Sequence, residues 1–200
     1  MIKSDKEILL RPGRIYIPAG NFSGIVYEAT AAAGIKSAGT GSYASSNLLI
    51  AEVNTSGIVG INMTTAANSV NHLMEVPADM DLQHPLYASV YWTANNTSGS
   101  VDWSVKYKAF IPGTTVLGSA EAATAMSAAG TAQTMAAVAY TLMRTPERKL
   151  FGKVLPDTTE LIQFSVILTA LTTITTATLV GLALRYTPKR LTGMGGVVES

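Results

Sequence analysis

VDWSVKYKAF, residues 101–110, alternates without a break: Val101, Trp103, Val105, Tyr107 and Ala109 fall on one face, and Asp102, Ser104, Lys106 and Lys108 on the other. Successive side chains of a strand point to opposite faces, so a period of two predicts a half-buried β-strand. Upstream, LYASVYWT (86–93) sets Ala88, Val90 and Trp92 in the same alternation, which assigns Trp92 and Trp103 to a core and turns Tyr91 outward. The intervening ANNTSGS (94–100) has the Asn, Ser and Gly content of a tight connection, so the two runs read as an antiparallel hairpin.

A second pair of runs lies near the C-terminus. In LIQFSVILTAL (161–171) the apolar positions are Ile162, Phe164, Val166 and Leu168, and in TLVGLALRY (178–186) they are Val180, Leu182, Leu184 and Tyr186. Thr-rich turn material joins them, and a second hairpin with one buried face is expected. RIYIP (14–18), NLLIAEV (47–53) and the set Ala136, Val138, Tyr140 and Leu142 give shorter alternating runs. Seven or eight short strands at intervals of roughly ten residues define an all-β fold, a single β-sandwich or jelly roll, although an immunoglobulin-like sandwich has the same pattern. The sandwich is expected over residues 15–187, with Ala-rich residues 115–133 irregular. Residues 1–14 read as an extended N-terminal arm carrying six charges, and residues 188–200 as a flexible C-terminal tail broken by Pro188, Gly193, Gly195 and Gly196.

Composition narrows the function. With no cysteine, thiolate metal sites, disulfides and cysteine nucleophiles are excluded together. The formal charge of +1 is wrong for a protein that works by holding phosphates, because nucleic-acid affinity needs many Lys and Arg at once. Charged residues make up 14% of the chain, and between Ala29 and Met74 only Lys36 and Glu52 are charged, as expected of a surface covered by neighbours. Residues 161–184 are uncharged and long enough to cross a bilayer, but TTITT at 172–176 favours strands, so no membrane partner is expected. The N-terminus lacks the basic, apolar and small-residue succession of a signal peptide, which implies a chain made in, and kept in, the cytoplasm.

No catalytic constellation emerges. The two histidines, His72 and His84, lie near Glu75, Asp79 and Asp81, but no metal-ligand spacing is present, and surface polar groups are the simpler reading. Glu75 and Asp79 are a carboxylate pair of the kind sugar hydrolases use, at a spacing that chance also produces. There is no G-x-S-x-G elbow and no phosphate-binding glycine loop. Five N-x-[ST] sites, at Asn21, Asn54, Asn62, Asn95 and Asn96, follow from the Asn, Ser and Thr content. No enzyme activity, cofactor or metal is expected. One basic cluster, RTPERKLFGK (144–153), reads either as a solvated loop or as an electrostatic contact for an acidic partner.

The succession HLMEVPADMDLQHPLYASVYWTANNTSGSVDWSVKYKAF, then GTAQTMAAVAYTL, DTTELIQFSVILTA and LVGLALRYTP, resembles a pattern in tailed-bacteriophage structural proteins. Its marks are a proline-led turn, a strand ending in W-T, an S-G-x-V-x-W connection and a last strand reading G-x-x-[LI]-R-Y; together they span roughly residues 72 to 188. The resemblance implies a jelly-roll sandwich that decorates or cements a capsid, or builds a tail or fibre part, usually as a trimer. Its expected partners are copies of itself and the major capsid protein or other virion proteins, in the virion, at the capsid surface before the tail. Partner contacts are expected at Lys3, Lys6, Arg11, Arg14, Arg144, Arg148, Lys149 and Tyr91. The alternative is a tail or fibre module that binds host glycans through Tyr91 and the 95–100 loop.

Overall fold

The computed structural model describes residues 12–22, 25–27, 35–37, 48–66, 68–115, 124–125, 132–150 and 155–189. Lys3, Lys6 and Arg11, and most of the expected arm and tail, lie outside them. The described residues form an all-β sandwich of jelly-roll type.

Its larger sheet is built on β7 (Tyr87–Ala94) and β14 (Ala177–Tyr186), paired antiparallel at its centre. The far edge of β14 is shared in series by β5 (Val59–Met63) and β1 (Gly13–Pro18), and β4 (Leu48–Glu52) flanks β5. The far edge of β7 is shared by β11 (Met143–Arg144) and β12 (Arg148–Lys149). The smaller sheet centres on β8 (Ser100–Phe110) and β13 (Leu161–Thr172), flanked by β6 (Ser69–Glu75) on one side and by β9 (Thr124–Ala125) and β10 (Gln133–Thr134) on the other. A separate ribbon pairs β2 (Ile25–Tyr27) with β3 (Ile35–Ser37).

The two expected hairpins are corrected. β7 and β8 lie in different sheets, as do β13 and β14, so each pair is an arch that crosses the core. Chain order β5, β6, β7, β8 switches sheet at every step. Alternation marks which face of a strand is buried and is blind to which strand lies beside it. The arch after β7 turns at Gly99, whose φ of +103° suits glycine, and a Cβ there would meet the Thr172 carbonyl at 2.5 Å.

The alternating positions do fill one core. Val101, Trp103, Val105 and Tyr107 of β8 and Ile162, Phe164, Val166 and Leu168 of β13 face Ala88, Val90 and Trp92 of β7 and Leu182 and Leu184 of β14. Each large side chain removed from water contributes roughly 1.5–3 kcal/mol. Two further expectations fail locally. A bulge between Leu179 and Gly181 puts Leu179 in the core beside Trp92 and leaves Val180 outside the core cluster, on the outer side with Thr93 and Leu142. Residues 136–142 form a turn in place of a strand, because Tyr140 adopts φ +60° while its amide bonds the Ala94 carbonyl at 2.8 Å.

Candidate functional site

The outer faces of the two sheets differ. On the smaller sheet, Asp102, Ser104, Lys106, Gln163 and Ser165 alternate outward, and the Ser165 hydroxyl donates to Asn71 Oδ1. On the larger sheet the outer face is aromatic and cationic, and the segment that carries β11 and β12 folds across it. Thr93 donates to the Thr141 carbonyl at 2.9 Å and Arg144 to Ser89 Oγ at 3.0 Å, which buries Ser89 and Thr93 on what would otherwise be a wet face.

Beside this segment lies a cleft of about 430 Å³. Its floor is Tyr16. Outward alternation of β1 sets Arg14 and Tyr16 on the same face, and Gly181 of β14 leaves room for the phenol end of Tyr16 to lie over the sheet. A Cβ at position 181 would stand 2.6 Å from the Tyr16 hydroxyl oxygen. The hydroxyl donates to the Val180 carbonyl at 3.3 Å, and the residue keeps 52% of its surface open. Tyr91 stands against it almost at right angles, with ring centroids 5.7 Å apart and planes at 81°. Partial burial first, and Tyr91 second, push the Tyr16 phenol above its ordinary pKa, so it stays protonated at neutral pH.

The rim is charged. Arg144 lies over the Tyr91 ring at 5.6 Å and Arg185 over the Tyr87 ring at 4.1 Å, both within cation–π reach. Arg185 donates to Glu147 through Nε at 2.8 Å and Nη2 at 2.6 Å, while Arg144 approaches the same carboxylate at 3.8 Å. The Arg185 hydrogen bond, helped by the charges of Arg185, Arg144 and Arg14, holds Glu147 below the usual carboxylate range against the opposing effect of partial burial. The β1–β14 register sets Arg14 directly opposite Arg185, a like-charge pairing that is unfavourable by itself. Among the described residues three guanidiniums line the cleft against one carboxylate, a net of +2.

Toward the other end of this face, Ile58, Tyr140 and Leu142 border a second hollow with Val180 and Thr93. Ile58 is 47% and Leu142 54% exposed, so the apolar surface is continuous with the aromatic cleft through Leu142, which lines both.

Of the residues singled out in the sequence, Tyr91, Arg144 and Arg14 meet in the cleft. Arg148 and Lys149 sit on β12, paired with Ala88 and Tyr87, half-buried and engaged with neighbours. Tyr16, Arg185 and Glu147 join the cleft without having been singled out in the sequence. Outward alternation in RIYIP and LALRY was the available signal, and cross-strand register is what joins them.

The polar groups around Pro77 are separately engaged. His72 Nδ1 lies 2.8 Å from the Asn21 carbonyl, His84 Nδ1 lies 2.8 Å from Asp81, and Tyr186 donates to both Asp79 oxygens at 3.0 and 3.1 Å. The backbone H-bond from Gln83, then His84 and Lys189, lowers the Asp81 pKa. Among the described residues no three His, Asp or Glu side chains gather as a metal site, and no helix is long and apolar enough to cross a membrane.

Fold and site together define a β-sandwich whose larger sheet carries an open aromatic and cationic cleft on its outer face. No protein-family model matches the sequence, and no curated protein matches it. Similar solved structures include the CBM36-1 domain of a multidomain xylanase from the hindgut metagenome of Trinervitermes trinervoides, at TM-score 0.43 and 8% identity over 86% of this chain and 96% of that one. The xylan-binding module CBM15 matches at TM-score 0.41 and 10% identity over 90% and 99%. An arabinose-bound GH51 α-L-arabinofuranosidase matches at TM-score 0.39 and 12% identity, over 69% of this chain and 21% of that enzyme. These likenesses are distant, and the sandwich assignment rests on the sheets themselves.

Proposed function

We propose that this chain is a non-catalytic structural protein of a phage-like particle, a decoration or cement sandwich that packs on copies of itself and on the major capsid shell. The observation that carries it is an apolar hollow on the outer face of the larger sheet, where Ile58, Tyr140 and Leu142 stand exposed around Val180 and Thr93. Contiguous apolar surface of this kind marks a protein contact. The phage assignment itself draws on the sequence pattern over residues 72 to 188. Co-sedimentation with purified empty shells tests the reading. Wild-type protein pellets with shells, and the Ile58→Asp, Leu142→Asp double variant stays in the supernatant; equal pelleting of the two rejects the assigned face.

A second reading, a tail or fibre module that binds host glycans, is favoured by one feature: the corner made by Tyr16 and Tyr91. A ring fixed flat with a perpendicular aromatic wall suits the C–H face of a sugar, and flanking polar groups would set its orientation. Binding to host surface polysaccharide is the measurement that separates it from the first.

A further inference from the structure

We infer that the Tyr16–Tyr91 cleft is a binding site for an acidic saccharide, one carrying a carboxylate on the ring that stacks on Tyr16. The inference deepens the glycan-binding reading and is independent of where the sandwich sits on a particle.

Three features of the site converge on this ligand class. The Tyr16 ring is pre-placed: Gly181 gives it space, its hydroxyl is tied to the Val180 carbonyl, and its open side faces the cleft. A ligand ring that lands there displaces water from an apolar surface without having to order the side chain first. Tyr91, perpendicular to it, limits the ligand to one edge-on orientation.

The charge balance supplies the specificity. Glu147 is already committed to Arg185, and Arg144 is held by Ser89 and by the Tyr91 ring, so both guanidiniums are fixed in direction. Arg14 and Arg185 face each other across the β1–β14 ladder, and among the described residues Glu147 is the one carboxylate lining the cleft beside them. A ligand carboxylate entering between Arg14 and Arg144 relieves that repulsion and gains charge-assisted hydrogen bonds. A neutral sugar gains the stacking alone. The cleft volume of about 430 Å³ lies within the range of small-ligand pockets.

Titration of the purified chain with oligogalacturonate, with neutral oligoxylose of the same length and with poly-glutamate tests this. Oligogalacturonate is expected to bind at least about tenfold more tightly than oligoxylose, with the difference shrinking as salt shortens the Debye length. Arg144→Gln is expected to lower oligogalacturonate affinity far more than oligoxylose affinity and so abolish the preference, and Tyr16→Ala to weaken both sugars; Tyr16→Phe keeps the ring and most of the affinity. Equal binding of the two sugars overturns the acidic specificity but leaves a glycan site standing. Binding of poly-glutamate and of neither sugar overturns the inference in favour of an acidic protein contact, and binding of none of the three overturns it and the glycan reading together. Shell co-sedimentation is read separately, so the decoration reading stands or falls by itself.

Discussion

Trp92 and Trp103 meet across the middle of the sandwich, one from each sheet, with ring centroids 6.5 Å apart and planes at 51°. Both are fully buried, and among the described residues neither indole N–H has a hydrogen-bond partner. The chain that joins them is the short 95–99 arch, so this contact ties the two sheets together at a point close in sequence. Trp103→Ala is expected to cost about 3–5 kcal/mol through the cavity it leaves. Trp103→Phe is expected to cost much less, because it also removes a buried donor that has no acceptor. Urea unfolding of both variants checks the order; equal losses would contradict it.

Gly181 is the second sensitive point. A Cβ there would meet Tyr16 at 2.6 and 2.7 Å and the Ile17 carbonyl at 2.8 Å, and the backbone cannot yield as a side-chain tip can. Gly181→Ala is expected to destabilise by about 1–3 kcal/mol and to lift Tyr16 from the sheet. Gly20→Ala, with nothing within 4 Å of its Cβ among the described residues, serves as the control. Thermal melts of the two, read with tyrosine fluorescence, would show an effect at position 181 alone.

Glu147 predicts an acid-side effect. Its folded pKa is depressed, so its pairing stabilises the protein above the ordinary glutamate range and is lost as pH falls through the lower folded value. Glu147→Gln is expected to cost about 1 kcal/mol or less at neutral pH, the gap to wild type closing in acid. A gap that widens as pH falls would contradict the Arg185 assignment.

Tyr186 predicts the alkaline counterpart. Burial first, then its hydrogen bond to Asp79, raises the Tyr186 pKa. Stability from the neutral phenol is present below the unfolded tyrosine value of about 10 and is lost as pH climbs through the folded one. Tyr186→Phe, lacking the proton to lose, is expected to start about 1 kcal/mol less stable and to show a shallower alkaline decline. Chemical unfolding from pH 8 to 11 gives both slopes.

The strands and the core were legible in VDWSVKYKAF and LIQFSVILTAL because one face is buried from Val101 to Tyr107 and from Ile162 to Leu168, and a period of two records that directly. The sheets were not. Trp92 and Trp103 sit on strands that look like a hairpin in sequence, and nothing in either strand encodes that the chain crosses the core between them. Val180 is buried as its run implies but lies outside the main core cluster, because a bulge shifts the alternation by one residue and Gly181 alone is too common a residue to announce it. At the site, Tyr91 was readable as outward and Arg144 as part of a basic cluster. Tyr16 and Arg185 come from strands 169 residues apart and meet through the β1–β14 register, which no local pattern carries.

The most direct test of the central claim is the mass of the purified chain by light scattering, taken together with negative-stain images of it mixed with empty shells of its source particle. A trimer that coats the shell is the predicted result; a monomer that leaves the shell bare would contradict the account.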